Sequence, residues 1–185
     1  MRLLIVALFA LSCHQETHHP SIRNNRNYPM RVWVSPKLDA ITQRALHIAL
    51  SEYPCHVFVY ERDPRLADVT IELDEGQAHC YGDSSEHFEG DLHAGEYMRC
   101  KRGPSTIILD KEFNAYPPGL RYLVLLHELG HAVGLEHDDD TEVDGKIKSI
   151  MEASVIRHGM HDIDGLPNIR LLKRHIQTIA ENYCH

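Results

Sequence analysis

Between residues 127 and 137 the chain reads HELGHAVGLEH, and three histidines, one glutamate and one glycine in this order could assemble a metal site. His127 and His131 are four residues apart, so on a helix they share one face, roughly 6 Å apart along the axis, and both can reach one ion. Glu128 between them points elsewhere, which suits a carboxylate that holds a water beside the ion rather than one that ligates it. His137 decides how the segment must fold. On an unbroken helix it would lie about 15 Å along the axis from His127, whereas nitrogens that share a zinc ion, each about 2.0–2.1 Å from it, lie within a few ångströms of one another. The helix must therefore end before His137. Gly134 stands where it can do so, because glycine takes the left-handed conformation at a helix C-terminus without a Cβ penalty. The chain holds 15 histidines, so chance pairs are common. This set at these five positions nevertheless arises by chance only on the order of once in a few thousand such chains.

The hydrophobic pattern predicts the elements that must hold these residues. The run Leu120 to Val133, after Pro117-Pro118-Gly119, is long, apolar and free of proline, and predicts a buried helix carrying the first half of the motif. Upstream, RVWV (31–34) predicts a strand closed by Ser35-Pro36, and Leu38 to Ser51 a helix whose apolar positions are Leu38, Ile41, Ala45, Ile48 and Ala49. VFVY (57–60), VTIEL (69–73) and STIIL (105–109) predict three further strands, with a long Gly-, Asp- and His-rich stretch from Asp74 to Lys101 before the last. After Pro167, the residues Ile169, Leu172, Ile176 and Ile179 alternate with polar ones and predict a final amphipathic helix. No internal repeat is present.

At 185 residues, with 43% hydrophobic and 25% charged residues, the chain fits one domain with a real core. A net charge of -8 and the lack of a basic cluster exclude a nucleic-acid surface, which needs a concentrated positive patch. The opening MRLLIVALFALSC pairs Arg2 with an apolar run from Leu3 to Leu11 and predicts a signal peptide over residues 1–12. That run is too short to span a membrane, which takes about 20 residues. Ala10-Leu11-Ser12-Cys13 also resembles a bacterial lipobox, in which Cys13 would carry lipid; ordinary cleavage after Ser12 is the alternative. Residues 13–29 read as a flexible tether and residues 30–185 as the domain. With Cys13 lipidated, Cys55, Cys80, Cys100 and Cys184 form an even set with three possible pairings, between which the sequence does not choose; Cys80 with Cys100 and Cys55 with Cys184 is the one preferred. Buried thiols or zinc ligands are the alternative, although no CxxC spacing supports a zinc site.

The motif carries a family resemblance. HELGHAVGLEH matches the HExxHxxGxxH zinc signature of the metzincin metalloproteases, and Ser149-Ile150-Met151 resembles their Met-turn. With Asp138 after the third histidine, the segment is most similar to small matrixin-like and snapalysin-like enzymes. The resemblance implies an α+β, metzincin-type zincin with a twisted mixed β-sheet, an active-site helix, a Met-turn and a C-terminal helix. It implies that His127, His131 and His137 ligate one catalytic Zn2+, that Glu128 is the general base, that Gly134 makes the turn and that Met151 lies beneath the metal. The implied function is a zinc-dependent endopeptidase that hydrolyses peptide bonds in protein or peptide substrates through a zinc-bound water activated by Glu128. It also implies an edge strand around Gly95 to Cys100 that takes substrate by β-addition.

Departures from the family bear on this reading. Astacin-like and serralysin-like members have Tyr two residues after the Met, where this chain has Ala153, so no tyrosine is implied at the metal. Matrixins often have Pro three residues after it, where this chain has Ser154, so the wall of the specificity pocket, expected within 152–162, is not implied by family habit. The alternative function is a catalytically silent zinc-binding surface protein with the same fold. Glu128 favours the enzyme, because a silent descendant has no chemical need for a carboxylate beside the water site. A thermolysin-like site with a distant Glu as third ligand would leave Gly134 and His137 unused.

Additional metals are conceivable and are not counted in the site. Asp138, Asp139, Asp140, Glu142 and Asp144 would suit a structural Ca2+, but they lack the EF-hand order and read as a solvated acidic loop. His79, His87 and His93 would suit a second, structural Zn2+ on spacing alone. His14, His18 and His19 read as part of the tether. No cysteine-bearing zymogen segment is expected between Cys13 and the first strand. The expected protein is a monomer in the cell envelope or secreted, meeting the membrane only through an N-terminal lipid.

Overall fold

The computed structural model describes residues 29–76, 86–87, 94–100, 103–137, 149–151 and 173–184. The expectations for the signal peptide (1–12), most of the tether with Cys13, and the residues Cys80, His79, His93, Asp138 to Asp144 and 152–162 lie outside the described residues.

Among the described residues, six strands form one mixed sheet: β1 (Met30–Val34), β2 (Phe58–Glu61), β3 (Val69–Leu73), β4 (Glu86–His87), β5 (Gly95–Arg99) and β6 (Ser105–Leu109), in the order β2-β1-β3-β6-β5-β4. β2, β1, β3 and β6 run parallel; β5 runs antiparallel to β6, and β4 antiparallel to β5. Three α-helices among the described residues complete the mixed α+β fold: α1 (Ala40–Ser51), α2 (Pro118–Ala132) and α3 (Lys173–Tyr183). The predicted strands at 69–73 and 105–109 have the observed bounds, as expected for β-branched runs buried in the middle of a sheet. Val69, Ile71, Ile107 and Leu109 have no more than traces of exposed surface. Thr70, Ser105 and Thr106 of the same pair of strands are buried too, with the Thr70 hydroxyl donating to that of Thr106 at 3.1 Å.

The long stretch from Asp74 to Lys101 contains β4 and β5. β5 falls within the expected Gly95 to Cys100, but it is not the outermost strand, because β4 pairs with Met98 and Arg99. Ala94 accepts a backbone bond from Asp110, so in the antiparallel alternation Ala94, Glu96 and Met98 bond toward β6. The backbone groups of Gly95 and Tyr97 consequently point away from it.

Two helical faces differ from the reading of the sequence. On α1 the buried positions are Thr42, Ala45, Leu46 and Ala49, whereas Ile41 and Ile48 are 50% and 44% exposed. The helix is turned by a polar cluster that hydropathy does not register. Arg121, buried in the first turn of α2, donates to both carboxylate oxygens of Asp39, to the Thr42 hydroxyl and to the backbone carbonyls of Tyr116 and Asn114. Asp39 also caps α1 by accepting from the Thr42 N–H at 2.7 Å. One guanidinium thus joins the starts of both helices, with its donors satisfied as burial requires. From residue 175 to the end of α3 the buried residues are His175 and Ile179, and Ile176 faces outward at 39% exposure.

α3 is fastened at its end. Cys184 is disulfide-bonded to Cys55 across 129 residues of sequence, one of the two pairings preferred from the sequence, and the chain-entropy account of so long a loop gives about 4–5 kcal/mol of stabilisation. Cys100 is also disulfide-bonded. Next to the first bridge, the Tyr183 hydroxyl donates to the Val133 carbonyl at 2.7 Å, tying α3 to the C-terminus of α2.

Candidate metal centre

α2 begins with Pro118 at its first position, where the missing N–H costs nothing, and is buried along nearly its whole length from Leu120 to Ala132. Tyr53 anchors its middle by donating to the Leu126 carbonyl at 2.6 Å. The helix stops where the histidine spacing requires. The Leu135 N–H donates to the Gly130 carbonyl and the Gly134 N–H to that of His131, both at 2.9 Å, with Gly134 at φ 85°: this is a Schellman end.

The turn brings His137 back to the other two. The Nε2 atoms of His127 and His131 lie 3.0 Å apart, those of His131 and His137 3.2 Å, and those of His137 and His127 3.3 Å. Ligands about 2.05 Å from a tetrahedral zinc ion are spaced by about 3.3 Å, so the three nitrogens fit one such ion. The far sides of two rings are fixed. His127 Nδ1 lies 2.7 Å from the Ile150 carbonyl and His131 Nδ1 2.9 Å from that of Leu135. A carbonyl only accepts, so each Nδ1 carries the hydrogen and each neutral ring presents the Nε2 lone pair to the common point. The His127 and His131 lone pairs thus face a common point beside His137 Nε2, where a cation could be held. His127, His131 and His137 could hold a metal ion.

Glu128 stands beside this set and is completely buried. Its carboxyl group accepts from the outward-pointing Tyr97 N–H of β5, while Oε1 has no hydrogen-bond partner. Ser149, Ile150 and Met151 are fully buried, and the Met151 N–H donates to the Ser149 hydroxyl at 3.1 Å. The structure therefore brings together His127, Glu128, His131, Gly134 and His137, with Met151 packed against α2 at Gly130. Of the three histidines set aside as a second site, only His87 is in a described segment, in β4. Sequence reasoning missed the Ile150 and Leu135 carbonyls and the Tyr97 N–H, since backbone groups carry no residue signature.

Burial sets the protonation of the site. It lowers His127 to about 3, helped by the neighbouring His131 and His137 and opposed by the Ile150 carbonyl. It lowers His131 to about 4, opposed by the Leu135 carbonyl and aided by His137. Burial raises Glu128 to about 8, against the Tyr97 N–H, with the charge of Glu96 adding to the rise.

These shifts act oppositely on the stability of the metal-free protein. The contribution of Glu128, raised from 4.5, is complete below pH 4.5 and is lost as the pH rises through 8. The contributions of His127 and His131, lowered from 6.5, are present above pH 6.5 and are lost as the pH falls through 4 and 3. Glu128→Gln should therefore gain on the wild type as pH rises from 4.5 to 8, by an amount of the order of a few kcal/mol. Urea unfolding of both chelated proteins at several pH values measures this; a gap independent of pH would remove Glu128 as its source.

Comparison with protein-family models and with curated proteins finds no match to this chain.

Proposed function

We propose that the protein is a zinc-dependent endopeptidase of metzincin type. The observation that carries this reading is the convergence of three histidine Nε2 atoms within 3.3 Å of one another beside a buried carboxyl group with one oxygen unsatisfied. The donor set of three imidazoles suits a catalytic zinc site, which keeps one position open. When bound, the ion supplies Lewis-acid chemistry, lowering the pKa of water toward 7 and polarising a peptide carbonyl.

The remaining steps belong to the chain. Glu128 accepts a proton from the attacking water and delivers it to the nitrogen of the leaving amine, so one water is consumed and a carboxylic acid and an amine are released. It must be ionised to begin. Burial alone opposes this, and a nearby dication favours it, so metal binding and a competent base are coupled. With β4 paired at Met98 and Arg99 and the Tyr97 N–H held by Glu128, strand addition along β5 is limited to the outward backbone of Gly95 and the Tyr97 carbonyl.

The buried Met151 beneath α2 supports the Met-turn assignment. The Cys55–Cys184 disulfide supports an oxidising compartment and hence export; cleavage after residue 12 and a lipid on Cys13 belong to the same proposal.

The test is removal and return of the metal. Chelation should abolish cleavage of a quenched peptide library, and one equivalent of Zn2+ should restore it. A protein that holds one zinc and cuts nothing in the library would favour the silent zinc-binding alternative.

A further inference from the structure

Gly130 has a role in the motif that the metal-ligand pattern does not demand. It lies in the last turn of α2, between Glu128 and His131, where helix propensity alone would favour alanine. A Cβ built at Gly130 would come within 2.4 Å of Met151 Sδ, 3.0 Å of Met151 Cε and 3.5 Å of Leu135 Cδ1. Met151, Leu135 and Ile150 are all buried, so the side chains it would meet have little room to yield. The two residues that crowd Gly130 belong to the two segments that orient the imidazoles. The carbonyl of Ile150, adjacent to Met151, holds His127 Nδ1, and the carbonyl of Leu135 itself holds His131 Nδ1. Gly130 also accepts the Leu135 N–H through its own carbonyl.

We propose that Gly130 is a positioning residue: its bare Cα lets Met151 and Leu135 close onto α2, and so fixes the carbonyls that aim His127 and His131 at a shared metal ion. The proposal rests on the three-histidine site being a zinc site. A methyl group at 130 would push Met151 and the Ile150 carbonyl away from the helix. The aim of His127 would change with no ligand altered, the kind of loss that removal of an outer partner of a metal ligand produces.

The test uses the full chain with Gly130→Ala, Met151→Ala and the double variant. Zn2+ affinity is measured by chelator competition, and absorption spectra are recorded with Co2+ in place of Zn2+. Gly130→Ala should weaken Zn2+ binding by about 10–100-fold and alter the Co2+ spectrum. The double variant, in which the Met151 side chain no longer occupies the space, should recover the affinity of Met151→Ala within about threefold, and its spectrum. A Gly130→Ala protein that binds Zn2+ as the wild type does overturns the proposal, as does a loss that the double variant retains. If Gly130→Ala alone does not fold, the double variant decides: folded and zinc-binding supports the role, and unfolded overturns it. Failure of the wild type itself to bind Zn2+ would instead overturn the reading of the site.

Discussion

Glu128→Ala is expected to keep its zinc and to lose peptide hydrolysis by about 10²–10⁴-fold, the range for removal of a positioned general base. The two halves of this result have separate structural causes. Zinc retention follows because the three converging atoms are all imidazole nitrogens and the carbonyls behind His127 and His131 come from Ile150 and Leu135, so residue 128 supplies none of these groups. Loss of hydrolysis follows because Glu128 is the carboxyl group buried beside that point, with Oε1 unsatisfied by the protein. Metal content and cleavage of the same peptide library are measured on the same preparation. A variant that still cuts at the wild-type rate would remove Glu128 from the proton transfers. A variant that loses its zinc would make the carboxylate a ligand, contrary to the geometry.

The site was more legible in the sequence than its supports, because side-chain chemistry is written in residue types and backbone chemistry is not. The spacing of His127, His131 and His137 demanded a break after α2, and Gly134 at φ 85° supplies it. The central strands were legible because β3 and β6 are apolar, β-branched runs with parallel partners on at least one side. β5 was not legible from its residues, since GEYMR mixes polar, aromatic and flexible side chains and gains its place by pairing with β6. The face of α1 was misread because hydropathy weighs Ile41 above Thr42. Burying Thr42 completes the hydrogen bonding of Arg121, and leaving that guanidinium unsatisfied would cost more than exposing an isoleucine.

His137→Ala tests the part of the site that separates this arrangement from one with a distant glutamate as third ligand. His137 lies past the helix end, is only partly buried, and its Nε2 stands 3.2 and 3.3 Å from those of His131 and His137's other neighbour, His127. Its removal leaves two imidazoles on one helical face, too few to hold zinc against a chelator. The variant should therefore lose stoichiometric zinc on passage through a chelating buffer that leaves the wild type loaded, with affinity reduced by more than about 100-fold. The fold should persist, because α2 ends at its own Schellman turn and the core residues Leu126, Leu129 and Ile150 do not include residue 137. Unfolding of the metal-free variant should then fall within about 0.5 kcal/mol of the metal-free wild type. Added zinc should raise the unfolding temperature of the wild type and leave that of the variant unchanged, since a ligand stabilises only the state that binds it. Stoichiometric zinc in His137→Ala would mean that another residue completes the site, and the role of Gly134 in returning the chain to the metal would fall with it.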